Sequence, residues 1–542
     1  MTSSSTAAAG AGAAVPRTYL YARWLILVAV ALLGVAHSAL LPPFEEYDSI
    51  QYWSGIQQVA DAGTIPLRGV ARLSADVDSY AGPRPFDPSP GQPASGMTYR
   101  DFFGRPAPGL PENIQRSFRP GKELNYEGQQ PPFYFVALAP VYLLAKDWSW
   151  PSHMLLLRLV SWGLAFTGFA IGCRATMRLL TALRVAPALS LLVPAWPLLF
   201  PEFFPDMARI GNNGTCLFFM GIAWALILRL LRGPSPAAVA GLGLTLGLGL
   251  LTKAFFIPIA AGIALLFVYA AARQRSWQPM KDICIALALA GVIGGGWYLY
   301  NFLTAGSFMN LGDFVKVQQN GGVLQTLLRQ GVSLHDGLHF LRGLAVMAAT
   351  FVWSGTWSRA MLSPIFAAPV VVMALIAFGA WLWALRRWPI EGQAPLFVAA
   401  PFLVGLVYHQ VVWVVTDPGG MAGTPGWHLH ILSPPLALAL VLGWRYRRLL
   451  GALAAYAIAF HIVCWATQLS FFSGCAYSPA NRVPLRLDPG SCLIDPAHLA
   501  VLGEPILVGV ALALAAAAGS AALFLILRAH RGSTPADQGV HT

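Results

Sequence analysis

The sequence predicts an all-α, polytopic membrane protein of about 12 transmembrane helices, and three observations predict it. Hydrophobic residues make up 56% of the chain and charged residues only 11%. A soluble domain carries about 25% charged residues, and a deficit of this size needs lipid as solvent for much of the surface. Apolar runs of about 20 residues, each long enough to cross a bilayer as a helix, recur along the chain. Arg and Lys fall in short clusters between alternate runs. That distribution is the positive-inside bias. It explains the net charge of +12 without nucleic acid.

Residues 1–16 are rich in Ser, Ala and Gly and carry no charged side chain, so residues 1–18 read as a disordered cytoplasmic tail. Arg17 and Arg23 then precede an apolar run that reaches Leu41. This run is too long for the apolar core of a cleaved signal peptide, so it reads as a retained first span. Further spans are expected to start near Ser152, Val185, Gly214, Pro236, Ala254, Ile283, Pro364, Ala394, His428, Leu449 and Val501. Together they form one transmembrane domain over residues 19–528, and residues 529–542 form a second cytoplasmic tail. The clusters Arg174/Arg178/Arg184, Arg229/Arg232, Arg273/Arg275/Lys281, Arg386/Arg387, Arg445/Arg447/Arg448 and Arg528/Arg531 then share the side of the N-terminus. Both termini are therefore expected in the cytoplasm of a multi-pass protein of the plasma or inner membrane. Residues 131–144 are apolar, but counting them as a span would put Arg174, Arg178 and Arg184 outside. They are also too short, and read as an interfacial or re-entrant helix.

The outer side holds the candidate chemistry. The first outer loop, residues 42–151, contains most of the acidic residues, and its middle, residues 68–120, reads as irregular. It opens with Pro42-Pro43-Phe44-Glu45-Glu46-Tyr47-Asp48, three carboxylates straight after the first span. Glu45, Glu46 and Asp48 are candidate catalytic groups, or a solvated helix cap. Residues 49–65 follow with apolar positions at helical spacing, as expected of an amphipathic helix at the interface. In Gly128-Gln129-Gln130-Pro131-Pro132-Phe133-Tyr134 a Pro pair opens a helix, and Gln130 and Tyr134 add hydrogen-bonding groups at the depth of Asp48. Lys253 sits in a two-residue gap between spans on the side that clusters of Lys and Arg avoid. Such a cation needs an anionic partner or snorkels to water, and a lipid phosphate would be a partner. Arg209 is a second outside cation, in the loop 201–213, where Asn212-Asn213 caps the next span. Residues 416–427 form a glycine-rich loop ahead of His428 and His430. Their i, i+2 spacing turns them to different faces of a helix, so a bidentate metal pair is not expected; one His is a candidate donor to phosphate. Residues 304–363 contain an amphipathic stretch near 311–328. The last outer loop, residues 470–500, holds Cys475 and Cys492. Its outside placement and poor apolar content predict a disulfide that stabilises it by roughly 3 kcal/mol. Cys173, Cys216, Cys284 and Cys464 fall within or near spans and are expected reduced.

These residues, in this order, resemble the GT-C membrane glycosyltransferases, which include the lipid A aminoarabinose transferases and the protein O-mannosyltransferases. Asp48-Ser49-Ile50-Gln51-Tyr52-Trp53 with Ala62-Gly63-Thr64-Ile65-Pro66 is similar to the family's D-E-x-x-[HY]-[FYW] and G-x-[IL]-P elements, with Ser49 in place of the Glu. Residues 126–134 are similar to its H-x-x-x-P-P or E-K-P-x-x-Y element, with Gln130 in place of the Lys. Leu251-Thr252-Lys253-Ala254 resembles L-T-K-G, and Trp297-Tyr298-Leu299-Tyr300-Asn301 resembles W-Y-x-x-N. The family's second acid falls on Asn213 or Asn212, with Asp206 nearby. The resemblance covers residues 20–470.

It implies sugar transfer from a polyprenyl-phosphate donor to a lipid, glycan or protein acceptor on the outer face. Asp48 would be the general base or the acceptor-orienting group, with Glu45 and Glu46 just upstream compensating for the Glu that Ser49 replaces. Lys253, Arg209 and His430 would hold the donor phosphate, and Gln130, Tyr134 and Asn213 the substrates. A divalent metal is a candidate cofactor. Two other classes compete: a transporter or flippase of lipid-linked sugars, which should show an inverted repeat, and an inactive binding protein of the same fold. The topology has its own test. A cysteine introduced at Arg178 should not react with a membrane-impermeant thiol reagent in intact cells; labelling from outside would reverse the orientation.

Overall fold

The computed structural model describes residues 16–80, 82–83, 97–105, 117–309, 312–331, 333–358, 362–416, 423–477, 486–487 and 492–532. Most of both predicted tails, much of the irregular stretch in 68–120, Leu311, the glycine-rich 417–422 and most of the residues between Cys475 and Cys492 lie outside the described residues.

Among the described residues nine helices are long and apolar enough to cross a membrane, so the chain is a multi-pass membrane protein. They are Arg17–Leu40, Trp150–Ala182, Asn213–Leu230, Phe256–Gln274, Gln278–Ala305, Pro364–Trp383, Ile390–Thr416, Arg447–Phe472 and Pro505–His530. The predicted spans near Pro236 and His428 appear as the shorter apolar helices Pro236–Leu250 and Gly426–Leu442.

The span expected near Val185 is not one helix. Short helical pieces Pro187–Ser190, Trp196–Leu199 and Phe203–Met207 are joined by turns. Pro187, Pro194, Pro197, Pro201 and Pro205 cause this. Each removes an N–H donor and clashes with the preceding helical turn. Broken backbone at membrane depth survives only where protein covers it, and Trp196, Phe200, Phe203 and Phe204 are essentially fully buried.

The helix Phe133–Leu144 has 12 residues, about 18 Å of rise against a hydrocarbon core of about 30 Å. It packs against the helix Ser49–Ala62 so closely that a Cβ on Gly55 would lie 2.6 Å from the Phe135 ring. The Ser49–Ala62 helix differs from its sequence expectation. Residues 49–57 are buried on every face, so it does not float at an interface. Its second cover is a two-stranded antiparallel sheet, Arg72–Ser74 with Pro120–Leu124, whose first strand lies inside the stretch that reads as irregular. Gln57 bonds Asp76 at 2.5 Å and also accepts from Ser74. Asn125 donates to the Gln51 carbonyl at 2.9 Å. These bonds satisfy the polar side of a helix that has no water to face.

The amphipathic stretch near 311–328 forms two helices, Gly312–Gln319 and Val323–Gln330, parted by Gly321 and Gly322 at positive φ. A further helix, Leu334–Val352, opens with a Ser333/Asp336 capping box. The loops assigned to the outer side meet at one end of the bundle. Trp357 N donates to Glu45 O, Glu202 N to Val352 O, Phe133 N to Leu251 O and Glu504 N to Ala39 O. Cys475 and Cys492 are disulfide-bonded there, while Cys173, Cys216, Cys284 and Cys464 are free.

The turn after the first helix is set by Arg158, from the helix Trp150–Ala182. Its guanidinium donates to the carbonyls of Leu41 (2.5 Å), Pro42 (2.8 Å) and Ser38 (3.4 Å) and pairs with Glu46, with both side chains buried. It thus takes up carbonyls that the helix end leaves free. Arg158→Met should lower the yield of monodisperse protein and the melting temperature in detergent. The expected loss is about 3–5 kcal/mol, because Glu46 would be a buried charge without a partner. Adding Glu46→Gln should recover part of it, and equal melting of Arg158→Met and the wild type would refute the role.

Candidate active site

Asp48 sits at the start of the Ser49–Ala62 helix in the left-handed region, φ 59° and ψ 14°. An L-residue is strained there, Asp and Asn least. Its carbonyl accepts from Gln51 N (3.0 Å) and Tyr52 N (2.9 Å), so the main chain begins the helix normally. Its side chain does not cap that helix. The half-buried carboxylate turns away and accepts a hydrogen bond from the Tyr126 hydroxyl.

Tyr126 belongs to a 3-10 turn, Tyr126–Gln129, begun by Asn125, whose side chain accepts from Glu127 N at 3.0 Å. This turn brings a second carboxyl beside Asp48. Glu127 is 5% exposed, and its Oε2 has no hydrogen-bond partner. Tyr52 and Gln130 hydrogen-bond the carboxyl, and the charge of Lys253 acts on it. Burial, and next the negative charge of Asp48, push the Glu127 carboxyl up to about 7.

The cations arrive from two other segments. Lys253 lies between Pro236–Leu250 and Phe256–Gln274, and its Nζ donates to Asn213 Oδ1 at 2.8 Å and sits 4.4 Å from the Phe255 ring centroid. The residue is 8% exposed, which removes snorkelling to water as its account. Burial pulls its ammonium below the ordinary value. Asn213 Nδ2 donates to Asp206 Oδ1 (2.6 Å), and Arg209 Nη2 pairs with the same oxygen (3.2 Å). Arg209 Nη1 reaches the carbonyl of Tyr47, next to Asp48, at 2.5 Å. A buried relay therefore runs Lys253, Asn213, Asp206, Arg209, Tyr47.

Several sequence candidates have other roles. Glu45 is not at Asp48's side. Its carboxylate accepts from Tyr99 (2.5 Å), Thr356 (2.6 Å) and both the backbone N–H (2.9 Å) and hydroxyl (2.7 Å) of Ser358. Burial still raises it to about 6, because desolvation outweighs the four bonds. Glu46 is held by Arg158. His430 does not face the cluster: its Nε2 donates to Phe351 O (2.9 Å) and its Nδ1 accepts from Trp196 (3.3 Å). His428 is the histidine that reaches it, at 3.4 Å from Asn213 Nδ2. The Tyr134 hydroxyl is occupied by Ser161 (2.9 Å) and Gly211 N (2.8 Å), a packing tie between helices. Gln130 does face Glu127.

Glu127, Tyr126, Asp206 and Arg158 complete the arrangement. Glu127 carried one signal, a carboxylate in the polar turn just before Pro131-Pro132. Arg158 carried another, a cation inside an apolar helix. Among the described residues no three His, Cys, Asp or Glu side chains gather in a set that could hold a metal ion. A cavity of about 370 Å³ opens beside the turn, lined by Gly128, Arg68, Trp297, Tyr300, Asn301 and Thr304 among others.

The fold and this cluster define a multi-pass membrane protein with buried acids and cations gathered where its loops meet. Three solved structures are similar to it. ArnT from Cupriavidus metallidurans bound to undecaprenyl phosphate matches at 12% identity and TM-score 0.43, over 92% of this chain and 77% of that one. The same protein in the apo state matches at 16% and 0.33, over 78% and 76%. The Archaeoglobus fulgidus oligosaccharyltransferase tethered with an acceptor peptide matches at 12% and 0.38, over 83% and 54%. No family profile matches the chain, and no curated protein matches it. At such identities and scores the chemistry has to be read from the residues.

A buried carboxyl whose folded value lies above its unfolded one binds a proton more readily in the native state. Its stability contribution is full below the unfolded value and falls as pH rises through about 7. Glu127→Gln should therefore raise the melting temperature relative to wild type at pH about 8 and hardly at pH about 5. An equal shift at both would show that Glu127 is not buried as a titrating acid.

Proposed function

We propose that this chain is a glycosyltransferase that moves a sugar from a polyprenyl-phosphate donor to an acceptor hydroxyl on the outer face of the membrane. One observation carries the reading: a half-buried carboxylate, Asp48, is held in a strained conformation within a cluster that also contains the buried Lys253 and Arg209. A helix start does not require that arrangement. A lipid phosphate leaving group beside a base does.

In the proposed step the acceptor oxygen forms a bond to the sugar anomeric carbon while the bond from that carbon to the phosphate oxygen breaks. The electron pair leaves with the polyprenyl phosphate, and the acceptor proton passes to Asp48. Lys253 stabilises the charge that develops on the phosphate, and Arg209 adds to the same field. In a site with little water these charges act at low dielectric and need little reorganisation. The cavity at Trp297, Tyr300 and Asn301 offers aromatic faces and hydrogen-bonding groups to a sugar or lipid headgroup. The disulfide suits an oxidising outer compartment. Glu127 supplies a second acid beside Asp48, which weakens the case for an inactive binding protein built on Ser49 and Asn213.

Purified protein with polyprenyl-phosphoryl sugars and a cell-envelope acceptor extract should show transfer. Asp48→Asn should abolish it with unchanged melting, since Asn tolerates the left-handed conformation. Lys253→Ala should weaken donor binding by about 1.5–3 kcal/mol, the scale of a hydrogen bond to a charged group. Normal turnover by Asp48→Asn, or unaltered donor affinity in Lys253→Ala, would sink the assignment of that residue.

A further inference from the structure

The buried cluster holds a group for which the transfer step has no use, the unpartnered oxygen of Glu127. We infer that Glu127 holds the donor phosphate as a neutral acid, donating the proton on its free oxygen to a phosphate oxygen seated at Lys253, so that the lipid binds together with one proton. The inference rests on the reading of Lys253 as the phosphate seat.

The argument is one of charge and geometry. Around Glu127 stand Asp48 from the start of the Ser49–Ala62 helix, Tyr52 from that helix, Tyr126 and Gln130 from its own turn and Lys253 from the gap between Pro236–Leu250 and Phe256–Gln274. Beyond Lys253 lie Arg209, Asp206, Asn213 and His428. Arg209 is already paired with Asp206. Lys253 is therefore the cation in this set left to meet an incoming anion, and its ammonium donates to a neutral amide, Asn213 Oδ1. With Glu127 ionised, a phosphodiester would bring a third negative charge against one positive charge in a buried place, which is strongly unfavourable. With Glu127 protonated, the same oxygen becomes a donor and one negative charge disappears. A buried oxygen with no partner is costly unless something arrives to satisfy it. The value of about 7 for this carboxyl means that both forms are accessible near neutrality.

The probe is undecaprenyl methyl phosphate, a diester that keeps a single charge throughout the range, so the ligand itself contributes no titration. Its affinity for the full chain in detergent is measured from about pH 5.5 to about 8.5. Wild-type affinity should be level at low pH and fall roughly tenfold per pH unit above about 7, the slope of one bound proton. Glu127→Gln keeps a neutral N–H donor and should bind with little pH dependence, close to the wild type at low pH. Asp48→Asn removes the facing charge and should move the start of the fall to lower pH; it decides the matter if Glu127→Gln does not fold. A Glu127→Gln variant that keeps the wild-type slope overturns the inference. So does pH-independent wild-type binding that Lys253→Ala abolishes, and that result leaves the phosphate seat standing. Absence of binding by wild type and Glu127→Gln at every pH overturns the phosphate seat, and this inference with it.

Discussion

The placement of Asp48 depends on one buried guanidinium. Arg158 closes the end of the first helix by binding the carbonyls of Ser38, Leu41 and Pro42, and pairs with Glu46 two residues before Asp48. A helix that ends at the level of lipid headgroups would normally leave its last carbonyls to water. Here they are turned onto a side chain of a neighbouring helix, and the chain must fold back with them. Tyr47 is then fixed from the other side by Arg209 on its carbonyl and by Glu202 on its hydroxyl at 2.9 Å. These anchors hold the two residues before Asp48, and the Tyr126 hydroxyl holds its carboxylate, which is how surrounding structure sustains local strain.

The same economy of water shapes the rest of the site. Irregular backbone inside a membrane protein needs internal partners, and carboxylates supply many of them. Glu202 accepts from Ser354 N (2.7 Å), the Ser354 hydroxyl (2.7 Å) and Gly355 N (3.2 Å), and Glu45 secures residues 356 and 358. Glu202, and Glu45, which looks catalytic by position, thus stitch loops together, while Glu127 is left with an oxygen free. The difference lies in satisfaction: a carboxylate with four donors is structural, and one with an open oxygen beside a cation and a second acid is chemically available.

The end of the bundle where the loops meet is tied from the far terminus as well. Tyr99, which donates to Glu45, packs against Phe471 and Phe472, and Gly474 lies against its backbone. Cys475, bonded to Cys492, follows directly, and His498 stacks on Phe103 at 4.0 Å. The disulfide therefore joins the two segments, ending at Cys475 and starting at Cys492, whose neighbours pack against Tyr99 and Phe103.

Hydropathy and charge bias determined the architecture from the sequence alone, because partition into lipid and the positive-inside preference are sums over consecutive residues. They placed the nine long helices found among the described residues, the short Phe133–Leu144 helix and the pairing of Cys475 with Cys492. They also singled out Asp48, Lys253, Arg209 and Asn213, through sign and position relative to span ends. The broken crossing near Val185 was written in its prolines but hidden by its apolar composition. Which acid faces which cation was decided only by tertiary structure. Tyr126 meets Asp48 across 78 residues of chain, Arg158 meets Glu46 across 112 and Lys253 meets Asn213 across 40. Within the triplet Glu45, Glu46 and Asp48, neighbours of one charge and one depth, the fold sends one to a loop, one to an arginine and one to the candidate site. Packing direction after the first helix separates them, and no sum over consecutive residues contains it.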